Sequence, residues 1–177
     1  ITGTDLEVTL TAQIECECLD SKRFCVEAEK LMELIKAIKS EPINLKIETQ
    51  EIEITTSSGT YNMPISDANE FPKAIELGEA QELAIPSYVL SSALSKTSFA
   101  IGINDMRPAL NGVCFDMKKD SLVFVATDAN RLVKYTRTDL SSEEENKFIL
   151  PKKPISVLKT ALSGLDVEVK MTYNKSN

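Results

Sequence analysis

The stretch Val125-Ala126-Thr127-Asp128-Ala129-Asn130-Arg131-Leu132 sets an apolar, strand-forming run against a polar turn and then returns to apolar residues. Asp and Asn hydrogen-bond their own backbone and accept tight turns, so the pattern predicts two strands joined at Asp128-Ala129-Asn130. Upstream, Arg107-Pro108-Ala109-Leu110-Asn111-Gly112 repeats the combination of one arginine, turn-formers and apolar neighbours. Such a place is either an ordinary turn or a surface able to hold a peptide, and the rest of the chain decides between them.

Working outward, 177 residues with 42% hydrophobic content can bury a sizeable core, as one large domain or parts of two. No apolar run reaches the ~18 residues of a membrane helix. The opening Ile1-Thr2-Gly3-Thr4-Asp5 lacks the basic-then-apolar order of a signal peptide. The expectation is a cytoplasmic protein with no membrane partner. A start without methionine, inside a strand-forming segment, reads as an excised internal fragment.

Cys16, Cys18, Cys25 and Cys114 form no CxxC pair and lie in apolar or alternating surroundings, which fits reduced, buried thiols better than a zinc site. The chain has no histidine, which removes Ser-His and Cys-His nucleophile pairs and histidine bases. Asp105 and Asp128 lack a partner base or a metal cluster in sequence, so turn and capping roles outweigh acid-base work. No catalytic residue, metal or cofactor is expected. A net charge of −7 argues against a simple basic nucleic-acid binder, though a locally positive surface remains compatible with it.

Leu6, Val8, Leu10, Ala12, Ile14 and Cys16 alternate, which predicts one long strand over residues 5–18. Leu31, Leu34, Ile35 and Ile38 stand at helical spacing, giving an amphipathic helix from Val26 to Ile38. Strands are expected over 44–50, 51–56 and 61–65. The same order returns with a strand at 82–85, a helix opening at Pro86, and strands at 113–117, 121–127 and 131–138. A third start runs from a strand at 148–150 into a helix from Pro151, followed by a strand at 167–171. Helix starts at Val26, Pro86 and Pro151 recur at a period of roughly 60 residues, the mark of a repeated module whose copies pack side by side and share a continuous sheet. Glu143-Glu144-Glu145, in a serine-rich stretch, reads as a solvated separator between the second and third units.

The helices differ in charge. The third begins Pro151-Lys152-Lys153 and adds Lys159 with no acid between Lys147 and Ala161, and the second has Lys96 among serines. In an acidic chain this is either an ordinary solvated face or a surface for a polyanion held through its phosphates.

Several ordered motifs together carry a resemblance. Phe71-Pro72, the run from Asn104 to Val113, the run from Val125 to Leu132, and Leu150-Pro151-Lys152-Lys153 resemble the bacterial DNA polymerase III beta subunit family, the sliding clamps, and Thr2-Gly3-Thr4-Asp5-Leu6-Glu7 is similar to that family's first domain. The resemblance implies an α+β DNA-clamp fold of repeated strand-helix-three-strand modules, with antiparallel sheets outside and helices on the inner face. Residues 1–74 would be the later part of clamp domain 1, and residues 75–177 the earlier part of clamp domain 2.

It further implies a non-catalytic processivity factor: a homodimer ring around duplex DNA that tethers the DNA polymerase III catalytic subunit, the clamp loader and other proteins with clamp-binding motifs. The peptide pocket would include Leu110, Thr127, Ala129, Asn130, Arg131 and Leu132, an apolar floor with polar groups beside it. DNA contacts would come from Asn104, Arg107, Lys152 and Lys153, with Lys36 from the first helix. Lys30 and Tyr61 would lie at the joint between subunits. The competing expectation is an oligomeric scaffold or peptide-binding module without a DNA role.

Overall fold

A computed structural model of the chain describes residues 1–73, 78–103, 106–142 and 144–174. The chain divides into two compact units, Ile1–Ile75 and Glu76–Asn177.

Unit 1 contains β1 (Thr2–Thr4), β2 (Thr9–Thr11), β3 (Phe24–Cys25), α1 (Ala28–Ala37), β4 (Asn44–Ile47), β5 (Glu51–Thr56), β6 (Gly59–Pro64) and β7 (Ser66–Asp67). β4, β5 and β6 form a three-stranded antiparallel sheet with β5 in the middle, and alternation along β5 buries Ile52 and Ile54. Met63 of β6 joins them, and Leu31 and Leu34 of α1 pack on this small core. No residue of α1 is fully buried.

The single strand expected over residues 5–18 does not form. Instead β1 and β2 pair as a hairpin, and residues 12–18 have no regular structure. The reason is local. The Asp5 carboxylate accepts hydrogen bonds from the Glu7 and Val8 amides at 3.1 and 2.9 Å, and Leu6 adopts a φ of 74°. This Asx turn competes with the extended chain and reverses it. Leu6, Leu10 and Ile14 are exposed, so the alternation has no core to face.

Unit 2 contains β8 (Gln81–Pro86), α2 (Ser87–Thr97), β9 (Gly112–Met117), β10 (Leu122–Thr127), β11 (Leu132–Arg137), β12 (Asn146–Pro151), α3 (Lys152–Ala161) and β13 (Glu168–Tyr173). Its main sheet has the order β11-β10-β9-β12, antiparallel throughout, while β8 pairs with β13 in a separate two-stranded sheet. The expected continuous sheet is therefore divided, and the strand opening the third repeat, β12, pairs with β9 of the second.

α2 packs against β10 and β11, α3 against β9 and β12, and the two helices touch each other. Between helices and sheet lies one apolar core. Val89, Leu90, Ala93 and Leu94 of α2 and Ile155 of α3 meet Val113, Phe115, Met117, Leu122 and Phe124 of the strands. The Phe115 ring stacks on Phe148 at 4.7 Å and meets Phe124 edge-on at 4.9 Å. Fully burying one such side chain contributes about 1.5–3 kcal/mol.

Ser87, fully buried at the start of α2, donates to the Leu165 carbonyl at 2.7 Å and accepts from the Val167 amide at 3.0 Å. A polar group is thus buried with its bonds made. Among the described residues no helix is long and apolar enough to cross a membrane, and no group of His, Cys, Asp or Glu side chains is placed to hold a metal.

Candidate functional site

The β10–β11 hairpin closes at Asp128-Ala129-Asn130-Arg131, flanked by the pair Thr127 and Leu132. Its turn is held by side chains. The Thr127 hydroxyl donates to the Arg131 carbonyl at 2.7 Å and accepts from the Ala129 amide at 3.1 Å. One Asp128 carboxylate oxygen accepts from the Asn130 and Arg131 amides at 3.0 and 2.9 Å. These backbone donors, the Arg131 amide foremost and the Arg131 charge less so, hold the Asp128 carboxyl below the usual carboxylate range. Asp128 is a turn cap, as its sequence context predicts. Asp105, its proposed companion, lies outside the described residues.

Ala129 has a φ of 76°, the left-handed region that an L side chain enters at a cost of about 1–2 kcal/mol. The four surrounding hydrogen bonds impose this conformation.

Leu110 reaches the same place from a different direction. It ends a short 3-10 turn, Pro108–Leu110, and its carbonyl accepts the Gly102 amide at 2.9 Å. A Cβ at Gly102 would stand 3.3 Å from the Leu110 Cβ and 3.4 Å from the Asp128 Cα, so Gly102 lies close against both segments. The structure thereby brings Leu110 to the Thr127–Leu132 turn. Leu132 is 65% exposed, and Ala129, Asn130 and Arg131 are also exposed.

Two of the Arg131 donor nitrogens are engaged within the chain. Nε donates to Asp128 at 3.0 Å, Nη2 donates to the Phe99 carbonyl at 2.9 Å, and the guanidinium lies 5.7 Å from the Phe99 ring centre. Phe99 is the residue that sequence reading misses. Nothing local links an exposed phenylalanine after α2 to a turn some thirty residues later; only the fold brings them together.

On the cationic side, Arg107 is exposed and its carbonyl caps the turn leading to Leu110. Lys152 and Lys153 are the exposed first residues of α3. The Lys152 amide donates to the Asn111 carbonyl at 3.0 Å, which ties the Arg107–Asn111 loop to the start of that helix. Asn104 lies outside the described residues. α2 and α3 together carry Lys96, Lys152, Lys153 and Lys159 and no Asp or Glu, whereas α1 mixes Lys30 and Lys36 with Glu29 and Glu33. Lys159 reaches across from α3 to the Ser98 hydroxyl at 3.3 Å.

In unit 1, Lys36 is exposed in the last turn of α1, and Lys30 pairs with Glu27 at 2.6 Å. The hydrogen bond to Glu27 raises the Lys30 pKa. Tyr61 is partly exposed on β6, an edge strand of its sheet.

Known proteins match both units. Residues 1–75 match the family model for the DNA polymerase III beta subunit, N-terminal domain, and residues 84–177 match the central domain. The chain is 30% identical to the beta sliding clamp of Pseudomonas aeruginosa over 96% of its own length and 47% of that protein's. It is 24% identical to the beta sliding clamp of Bacillus subtilis, covering 91% of this chain and 45% of that one. The chain thus spans about half the length of the curated relatives it matches.

A crystal structure of the Pseudomonas aeruginosa sliding clamp bound to griselimycin superimposes with a TM-score of 0.90 at 29% identity, over 98% of this chain and 48% of that one. The beta subunit of Thermotoga maritima shares the fold with a TM-score of 0.77. The expected α+β clamp fold is the one observed, and the chain belongs to the DNA polymerase III beta subunit family.

Proposed function

We propose that the chain is a portion of a sliding clamp, with residues 1–74 the later part of the first clamp domain and residues 75–177 the earlier part of the second. In that reading the full-length protein forms a homodimeric ring around duplex DNA in the cytoplasm, with helices toward the DNA and sheets outside. It tethers the DNA polymerase III catalytic subunit, the clamp loader and other proteins carrying clamp-binding motifs. It performs no chemistry of its own. Its effect is topological, and weak, diffuse phosphate contacts permit sliding where tight base-specific contacts would stop it.

The observation that carries this reading is the charge segregation of unit 2. Two adjacent helices hold four lysines and no acid in a chain of net charge −7. Such a layer attracts phosphates even where the chain as a whole is acidic. Lys152, Lys153 and Arg107 are the proposed DNA contacts in this unit, with Asn104 close to Arg107 in sequence and Lys36 from unit 1. Leu110, Thr127, Ala129, Asn130, Arg131 and Leu132 are the proposed peptide pocket, in which Leu110 and Leu132 receive apolar anchors. Lys30 and Tyr61 are proposed for the joint between subunits.

Retention on circular DNA tests the reading. The full-length protein should stay on closed circles and leave once they are linearised. Retention indifferent to DNA ends overturns the topological mechanism. Lys152→Gln with Lys153→Gln should weaken DNA association and spare peptide binding; unchanged DNA association would favour a peptide-binding scaffold.

A further inference from the structure

One cluster in unit 2 joins Lys96 of the acid-free helix layer to residues of β11 that neither proposed surface includes. Tyr135 lies on β11, an edge of the main sheet, with its ring on the helix side 6.2 Å from Phe124. Two cations converge on it. Lys96 Nζ, from the last turn of α2, is 3.4 Å from the Tyr135 hydroxyl and 4.5 Å from the ring centre. Arg137 Nη1 is 3.3 Å from the same hydroxyl, and its Nε and Nη2 are held by the two oxygens of Asp139 at 2.7 and 2.5 Å. The Ser92 hydroxyl of α2 is a further hydrogen-bond partner.

Lys30, Lys46, Lys147 and Lys170 each meet a carboxylate, whereas Lys96 meets a phenol and Lys159 a serine hydroxyl. A neutral phenol is a weak counterpart for an ammonium and a guanidinium, so a full anion arriving there gains what the phenol does not supply. The site also continues the acid-free layer: Lys159 of α3 reaches Ser98 just past α2, and Lys96 of α2 reaches β11.

Resting on the DNA reading above, we propose that Lys96, Arg137, Tyr135 and Ser92 form an additional phosphate-contact site, which takes a backbone phosphodiester of duplex DNA at the β11 border of unit 2. Lys96 and Arg137 supply charge, and the two hydroxyls supply neutral donors. Asp139 fixes the Arg137 fork and limits its net charge, which keeps the contact weak enough for a sliding partner.

The cluster has its own signature. Hydrogen bonds from Arg137 and Ser92, with Lys96 beside them, lower the Tyr135 pKa to about 8. The charged groups facing the phenol are Lys96 from α2 and Arg137 from its own strand, with Asp139 behind Arg137. A bound phosphate competes with the phenolate for both cations, so DNA should push the Tyr135 titration upward, and binding should weaken as pH rises through it.

The test compares Lys96→Gln/Arg137→Gln, Lys152→Gln/Lys153→Gln and Lys134→Gln, the last on the opposite face of β11, by salt-dependent binding of a labelled duplex. Each lost contact should lower the slope of log K against log salt by about 0.9. Lys134→Gln should match the parent chain. Should the Lys96/Arg137 variant unfold, Lys96→Gln alone, at an exposed position, carries the same test. If Lys152/Lys153 weakens binding and Lys96/Arg137 leaves the slope unchanged, the proposed site is overturned while the DNA reading stands. If no substitution matters, both fall. Tyrosinate absorbance, assigned with Tyr135→Phe, should shift upward on adding duplex; a shift with inorganic phosphate but none with duplex overturns the site as a DNA contact.

Discussion

Unit 1 and unit 2 use similar elements to reach different depths of core. In unit 2, two helices lie on a four-stranded sheet and enclose Phe115, Phe124, Leu90, Leu94 and Ile155 almost completely. In unit 1, α1 lies on three strands, and among the described residues only Ile52, Ile54 and Met63 are buried hydrophobics. Met32 and Ile35 of α1 remain 52% and 46% exposed. The lesson is that an amphipathic helix is not by itself a buried one: a second helix beside it and a fourth strand beneath are what close the layer in unit 2. Hydrophobic stabilisation follows area removed from water, so unit 2 holds most of it.

That contrast can be broken first at the aromatic stack. Phe115→Ala removes a fully buried ring between Phe124 and Phe148 and should cost unit 2 about 4 kcal/mol, while Ile54→Ala in the shallower core should cost unit 1 about 2 kcal/mol. Denaturant unfolding followed by amide signals from each unit measures both. An equal or larger loss at Ile54 would show that the small core is better packed than its burial indicates.

The next effect concerns backbone approach. A Cβ on Gly112 would lie 2.3 Å from the Leu150 carbonyl oxygen and 2.7 Å from the Ile149 side chain. Neither neighbour can withdraw without parting β9 from β12, so Gly112→Ala should destabilise unit 2 by about 3 kcal/mol. An unchanged unfolding midpoint would mean that β9 and β12 separate at little cost.

The smallest effect comes from Leu6 and Ala129, the two non-glycine residues with left-handed backbone among the described residues, one in each unit. Ala129→Gly relieves strain at the hairpin of unit 2 at the expense of a freer unfolded chain, for a net gain of up to about 1 kcal/mol. Leu6→Gly should ease the β1–β2 turn in the same way, yet leave the global unfolding of unit 1 unmoved, because that hairpin buries no core residue. Thermal melts of the two variants distinguish them. A loss of stability in Ala129→Gly would argue that the alanine is at ease there.

What was legible in the sequence follows the range of the forces involved. Period and punctuation mark α1, α2 and α3 and the hairpins of β4–β5–β6 and β9–β10–β11, since Leu31 with Leu34, or Asp128 before Asn130, act within a few residues. The expected long N-terminal strand does not form because alternation reports a pattern and not a partner, and the Asp5 carboxylate outweighs it. The pairing of β12 with β9 and of β13 with β8 depends on residues far apart in the chain, and no local signal carries it. The same holds at the sites. The turn from Thr127 to Leu132 was visible, but the grip of Phe99 on Arg131 and the meeting of Lys96 with Tyr135 exist only once α2 lies on β11.

The junction at Asn111 and Gly112 has a consequence for how such a chain can vary in length. Leu110 is fixed by Gly102 on one side, and the next carbonyl is fixed by the Lys152 amide on the other. There is no slack between the apolar floor of the proposed pocket and the lysines that open α3. One residue inserted or removed there would displace one anchor or the other, so the number of residues in this passage is constrained more tightly than their identity.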